Sequence, residues 1–97
     1  MSWRVLIRPK AEEDLREASL WYESQLSGLG DQLLDEVRRA VHRLQEDPER
    51  HPVYYRGFRR FFTHRFPYKL LYRIEGDRIM IFRVLHAKQD HRWRVKD

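Results

Sequence analysis

With 97 residues, 41% hydrophobic and 13% aromatic, the chain has the apolar content of one folded domain, taken here as spanning 1–97, and disorder is excluded as its dominant state. It contains no cysteine, which excludes disulfides, thiolate nucleophiles and cysteine-ligated zinc or iron–sulfur centres. Net charge is +5 and no window approaches the ~20 apolar residues of a spanning helix, so the expectation is a soluble, cytoplasmic protein without membrane contact.

In chain order, Trp3-Arg4-Val5-Leu6-Ile7 is β-branched and apolar and predicts a strand. Pro9 then suits the first turn of a helix, where its missing N–H is not needed. Ala11, Leu15, Ala18, Tyr22 and Leu26 form a helical stripe, with Glu12, Glu13 and Asp14 at the positive end of its dipole. Trp21 and Tyr22 fall at core spacing and are expected to pack. Gly28 is the expected left-handed C-terminal cap, and Asp31 the expected N-cap of a second helix. In that helix Leu33, Leu34, Val37, Ala40, Val41 and Leu44 line one face, and Pro48 ends it. Two amphipathic helices joined by a short loop make an antiparallel hairpin, which needs a further surface to cover its apolar stripes.

The second half supplies that surface. Residues 58–64 and 66–74 predict two strands, the second with Tyr68, Leu70 and Tyr72 facing the helices and Lys69 and Arg73 facing away. Glu75-Gly76-Asp77 is a hairpin turn. Arg78 to His86 is apolar on both faces, Ile79, Ile81 and Leu85 against Met80, Phe82 and Val84, as in a central strand. The tail is polar apart from Trp93 and Val95. The order β-α-α-β-β-β predicts an α+β fold, a small, mostly antiparallel sheet with the helical hairpin packed on one face.

Charge is unevenly divided. Residues 1–52 sum to −3 and residues 53–97 to +8, and 16 of the 20 basic side chains are arginine. Guanidinium forks pair bidentately with phosphate or carboxylate, so the second half is a candidate recognition surface for nucleic acid or an acidic protein segment. Its candidate contacts are Arg59, Arg60, Lys69, Arg73, Arg83, Lys88 and Trp93, several of them on an expected open, basic sheet face. A metal-free ribonuclease would need a base, an acid and phosphate-binding cations, and His64, Arg65, Arg83 and His86 are the candidates for those roles. The competing reading makes His86 a strand cap and His64 a solvated side chain. His86, Asp90 and His91 do not have the spacing of a metal site, and no metal or cofactor is expected. Gly28-Leu29-Gly30 is no phosphate cradle, since no strand precedes it and no P-loop Lys-Ser/Thr follows.

With this layout the sequence resembles the RelE/ParE superfamily of bacterial toxins, and within it the ParE branch. The carriers are Pro9, Ala11, Asp14-Leu15, Trp21-Tyr22-Glu23, Gly28-Leu29-Gly30-Asp31, Leu34 and Val37. They continue as Phe66-Pro67-Tyr68, Leu71-Tyr72, Val84-Leu85-His86 and Trp93. The resemblance implies the toxin of a type II toxin–antitoxin or plasmid-stabilisation system. A cognate antitoxin would silence it, and DNA would be contacted only through that antitoxin. The ParE branch implies a non-enzymatic poison of DNA gyrase. The RelE branch implies a ribosome-dependent messenger-RNA endonuclease, and a third option is a toxin fold retained only for binding. The chain departs from both patterns: Lys88-Gln89-Asp90 stands where ParE-like chains commonly carry an arginine, and no tyrosine follows Tyr72, where messenger-cleaving relatives usually have one. The expected contact surface is the basic face together with the groove between the Pro9–Leu44 hairpin and the sheet edge.

Overall fold

The computed structural model describes residues 3–89. In chain order it holds β1 (Arg4–Ile7), α1 (Pro9–Gln25), α2 (Leu29–Glu46), a 3-10 turn (Pro48–Arg50), β2 (Arg59–Phe62), β3 (Tyr68–Glu75) and β4 (Arg78–His86). The sheet runs β1-β4-β3-β2, with β1 parallel to β4 and the other pairs antiparallel. The α+β architecture, its element order and its helical hairpin are those expected from the sequence. β4 is internal, as its two apolar faces require.

The hairpin covers one face. Ala11, Ala18, Leu33, Val37 and Leu44 form one buried cluster with Leu70, Tyr72, Ile79, Ile81 and Val84. The helices approach closely at Gly30, where a Cβ would stand 2.5 Å from the Ser19 carbonyl oxygen. The turn between them differs from expectation. α1 ends in an extended Leu26, and Gly28, at φ +89°, is the N-cap residue of α2 and not the C-cap of α1. Asp31 lies inside the first turn. The carboxylate that caps α2 comes from α1: Glu23 accepts the Gly28 N–H at 2.9 Å and the Gly30 N–H at 3.0 Å. A side chain five to seven residues upstream satisfies the orphan donors that a local N-cap would otherwise take.

A bulge alters the faces of β4. Leu71 pairs with Arg83 and Tyr72 with Ile81, which leaves Phe82 as the extra residue. Strict alternation groups Val84 with Met80 and Phe82. The bulge instead puts Val84 in the helix-side cluster and Leu85 in a second cluster with Phe58, Leu71 and Phe82.

That second cluster corrects the expected open face. Residues 54–58 fold over the outer side of the sheet through a tight turn, with the Phe58 N–H on the Tyr55 carbonyl at 2.7 Å. Arg56 and Gly57 both have positive φ, as a type I′ hairpin demands. Tyr54 and Phe58 cover apolar groups that the second face of β4 would otherwise leave in water.

Candidate binding clefts

The predicted site residues fall into three separate environments. On the outer face Lys69 is buried, its ammonium donating to the carbonyls of Ala87, at 3.1 Å, and Gln89. The Arg73 guanidinium lies over the rings of Phe58 and Phe82, 5.0 and 4.9 Å from their centroids, and pairs with Glu75 at 3.1 Å. These two cations belong to the packing of the covered face. Lys88 is exposed, with its backbone N–H on His86 Nδ1 at 3.3 Å. Trp93, Asp90 and His91 lie outside the described residues. Among the described residues no group of His, Asp and Glu is placed to hold a metal ion.

The first cleft, about 270 Å³, opens between α1 and the C-terminal end of β4 and includes Asp14, Glu17, Tyr68, Arg83, His86 and Gln89. Arg83 is not free in it. Its Nε and Nη2 donate to the two carboxylate oxygens of Asp14 at 2.7 and 2.9 Å, with both side chains about nine-tenths buried, 11% and 9% exposed. Those hydrogen bonds raise the guanidinium pKa above its ordinary value, and Asp14 also accepts the Val84 N–H at 3.0 Å. His86 stacks edge-on against Tyr68 at 5.7 Å. Burial, assisted by Tyr22, pushes the Tyr68 hydroxyl up to about 12.

The second cleft, about 620 Å³, lies where the C-terminal end of α2 and the 3-10 turn meet β2. Arg43, Glu46, Asp47, Arg50, His51, Arg60, Phe61, Phe62 and His64 line it. Arg59 braces this region, donating to the carbonyls of Glu49 at 3.0 Å and His51 at 2.6 Å. Burial and the neighbouring Arg50 lower the His51 pKa, against an opposing pull from Asp47. The His64-Arg65 loop is set by a buried acid on α2: Glu36 Oε2 accepts the N–H of His64 at 3.0 Å and of Phe66 at 3.2 Å. Arg65 rests over the Phe66 ring at 5.1 Å.

The two histidines expected as an acid–base pair therefore line different clefts; of the two arginines in that set, Arg83 is bound by a carboxylate and Arg65 is exposed over Phe66. Sequence reasoning missed Asp14 and Glu36 as organisers because each acts on an element distant in sequence, and Glu23 because it caps α2 from across the turn rather than from the N-cap position. Arg43, Arg50 and His51 were also missed, because they lie in residues 1–52, whose net charge of −3 directed attention to the second half.

Comparison with known proteins gives the family and the fold. The profile of the ParE toxin of type II toxin–antitoxin (parDE) systems matches residues 5–91. A chain from the chromosomal ParDE toxin–antitoxin system of P. aeruginosa superposes with a TM-score of 0.80 at 20% identity, covering 90% of this chain and 98% of that one. A chain of the RelBE2 toxin–antitoxin complex of Mycobacterium tuberculosis gives 0.64 at 25% identity, covering 89% and 99%. An E. coli RelE toxin carrying two arginine-to-alanine substitutions, in the free state, gives 0.73 at 13% identity, covering 97% and 93%. No curated protein matches the chain.

Proposed function

Because the chain belongs to the ParE toxin family of type II toxin–antitoxin systems, we propose that it arrests growth by binding DNA gyrase, with no bond-making chemistry of its own, and that a cognate antitoxin silences it. The observation that carries this reading is the Asp14–Arg83 pair. A nuclease needs its phosphate-binding cation unneutralised in the ground state and its acid and base around one scissile bond. Here Arg83 is held bidentately by a carboxylate, and His64 and His86 face different clefts. The separation of the two histidines and the engagement of Arg83 make the messenger-cleaving alternative the weaker, with Arg65 the exposed cation left in that set. A non-enzymatic protein–protein poison requires neither arrangement.

The partner is an antitoxin with an acidic, amphipathic segment. Toxin–antitoxin systems among the structural relatives support such a partner. Arg60 and Lys88 are the exposed members of the predicted contact set on the described surface, and they suit carboxylates on the incoming segment. Any direct contact with operator DNA would be the antitoxin's. Gyrase is cytoplasmic, and no described helix is long and apolar enough to cross a membrane.

The test is purified protein added to gyrase and relaxed plasmid. Loss of supercoiling, relieved by the antitoxin encoded beside this gene, is the expected result. Unaffected supercoiling together with cleavage of messenger RNA on translating ribosomes would overturn it.

A further inference from the structure

The cleft at the β2 edge holds two arginines, Arg43 and Arg50, that the toxin reading leaves unused, beside Arg60, which it assigns to the antitoxin. Three arginines from three elements line it: Arg43 from the last turn of α2, Arg50 from the 3-10 turn and Arg60 from β2. Among the described residues none of the three is paired with a carboxylate, whereas Arg38, Arg73 and Arg83 each are. Arg43 and Arg60 rest on rings instead. Arg43 lies 5.8 Å from the centroid of Phe61, and Arg60 lies 4.0 Å from Tyr54 and 5.5 Å from Phe62. A guanidinium held face-on to a ring keeps its N–H edges directed outward, where they match the oxygens of a phosphate.

Of these rings Phe62 alone is exposed, 45% open to solvent in the lining of the cleft, whereas Tyr54 and Phe61 are half-buried against the core and Phe61 carries His51 edge-on at 5.0 Å. Arginines set around an exposed aromatic face make the surface that single strands use, with phosphates on the cations and a base on the ring. Glu46 and Asp47 line the same cleft, so three arginines against two carboxylates leave one net positive charge. Long-range attraction is therefore weak, and recognition rests on directed guanidinium bonds and stacking. A purely acidic peptide would use the arginines and leave Phe62 uncovered, and a duplex has no unstacked base to offer it.

We propose that this cleft binds a short single-stranded nucleic-acid segment, its phosphates held by Arg43, Arg50 and Arg60 and one base stacked on Phe62. The binding involves no chemical step and neither Arg83 nor His86, and it stands independently of the gyrase target.

The experiment is fluorescence anisotropy with the whole chain and four labelled probes: oligo-dT, oligo-rU, a blunt DNA duplex and a poly-glutamate peptide. The oligonucleotides would be about ten nucleotides long, within the range one small domain covers. The single strands should bind best. With three phosphate contacts, log K should fall against log salt with a slope of about −2. Arg43→Gln with Arg50→Gln should weaken binding roughly tenfold and bring the slope to about −0.7. Phe62→Ala should weaken it roughly tenfold with the slope unchanged, since a stacked base contributes about 1–3 kcal/mol. Tighter binding of dT or of rU identifies DNA or RNA as the source, and either supports the proposal. Absence of single-strand binding, preference for the duplex or for poly-glutamate, or unchanged affinity in both variants with wild-type melting curves would overturn it.

Discussion

Asp14, Glu23 and Glu36 each place a carboxylate on backbone N–H groups of another segment, and in that role they join α1 to β4, α1 to α2, and α2 to the loop after β2. In sequence each looks like an ordinary helix acid, which is why the sequence named Asp31 as the cap and treated Asp14 as a dipole partner. The partners of Asp14 and Glu36, 70 and 28 or 30 residues away, become visible only when the chain closes, whereas Glu23 reaches just across the turn between the helices. Asp14→Ala would leave Arg83 buried without its counter-ion and the Val84 N–H without its acceptor. Breaking such a pair costs about 3–5 kcal/mol, a large part of a small domain's stability, and urea unfolding should show it. Gly30→Ala decides between two opposing effects. Helix propensity alone would favour alanine by about 1 kcal/mol. The 2.5 Å approach of a Cβ to the Ser19 carbonyl should outweigh that gain and lower stability by about 1–3 kcal/mol. A rise in melting temperature would mean that the helices can move apart at little cost.

At the scale of elements, the period-2 and period-3.6 patterns were enough to place every strand and helix, since each buries a continuous stripe. What they could not carry was the bulge at Phe82, because one inserted residue reverses the faces beyond it without changing composition. For the same reason the outer face was expected to be open and basic, when Phe58 and Tyr54 cover it. Trp21 departs the other way: expected in the core, it is 58% exposed and meets Tyr22 edge-on at 5.0 Å. Trp21→Ser should therefore change stability by no more than about 0.5 kcal/mol. Tyr72 ties β3 to the 3-10 turn, its hydroxyl donating to the Pro48 carbonyl at 2.6 Å, and burial pushes its pKa from 10.0 to about 12. An unfolded tyrosine ionises first as pH rises, so this contribution is constant below pH 10 and is lost between pH 10 and about 12. Melting temperatures should fall across that window, with Tyr72 accounting for about 2–3 kcal/mol of the lost stability and Tyr68 adding to it. Tyr72→Phe should be less stable at pH 8 but show a shallower alkaline decline.

Over the whole molecule, the opposed charges of the two halves fold into one body, and the basic half does not become one basic face. Lys69 and Arg73 are absorbed in packing, Arg83 is neutralised by Asp14 of the acidic half, and Arg60 meets Arg43 and Arg50, both from the acidic half, at the β2 edge. The family was legible in the order and spacing of short motifs, whereas the state of each cation depended on contacts that spacing does not encode. If growth arrest needs no catalytic pair, a variant combining His64→Ala and His86→Ala should arrest cells as the parent does, with colony counts as the readout. The most direct test of the account follows DNA and protein synthesis together by pulse labelling after this protein alone is induced in bacterial cells. A gyrase poison predicts that DNA synthesis fails first while protein synthesis continues. Protein synthesis failing first, with DNA synthesis declining only later, would contradict the account and return attention to His64, Arg65, Arg83 and His86.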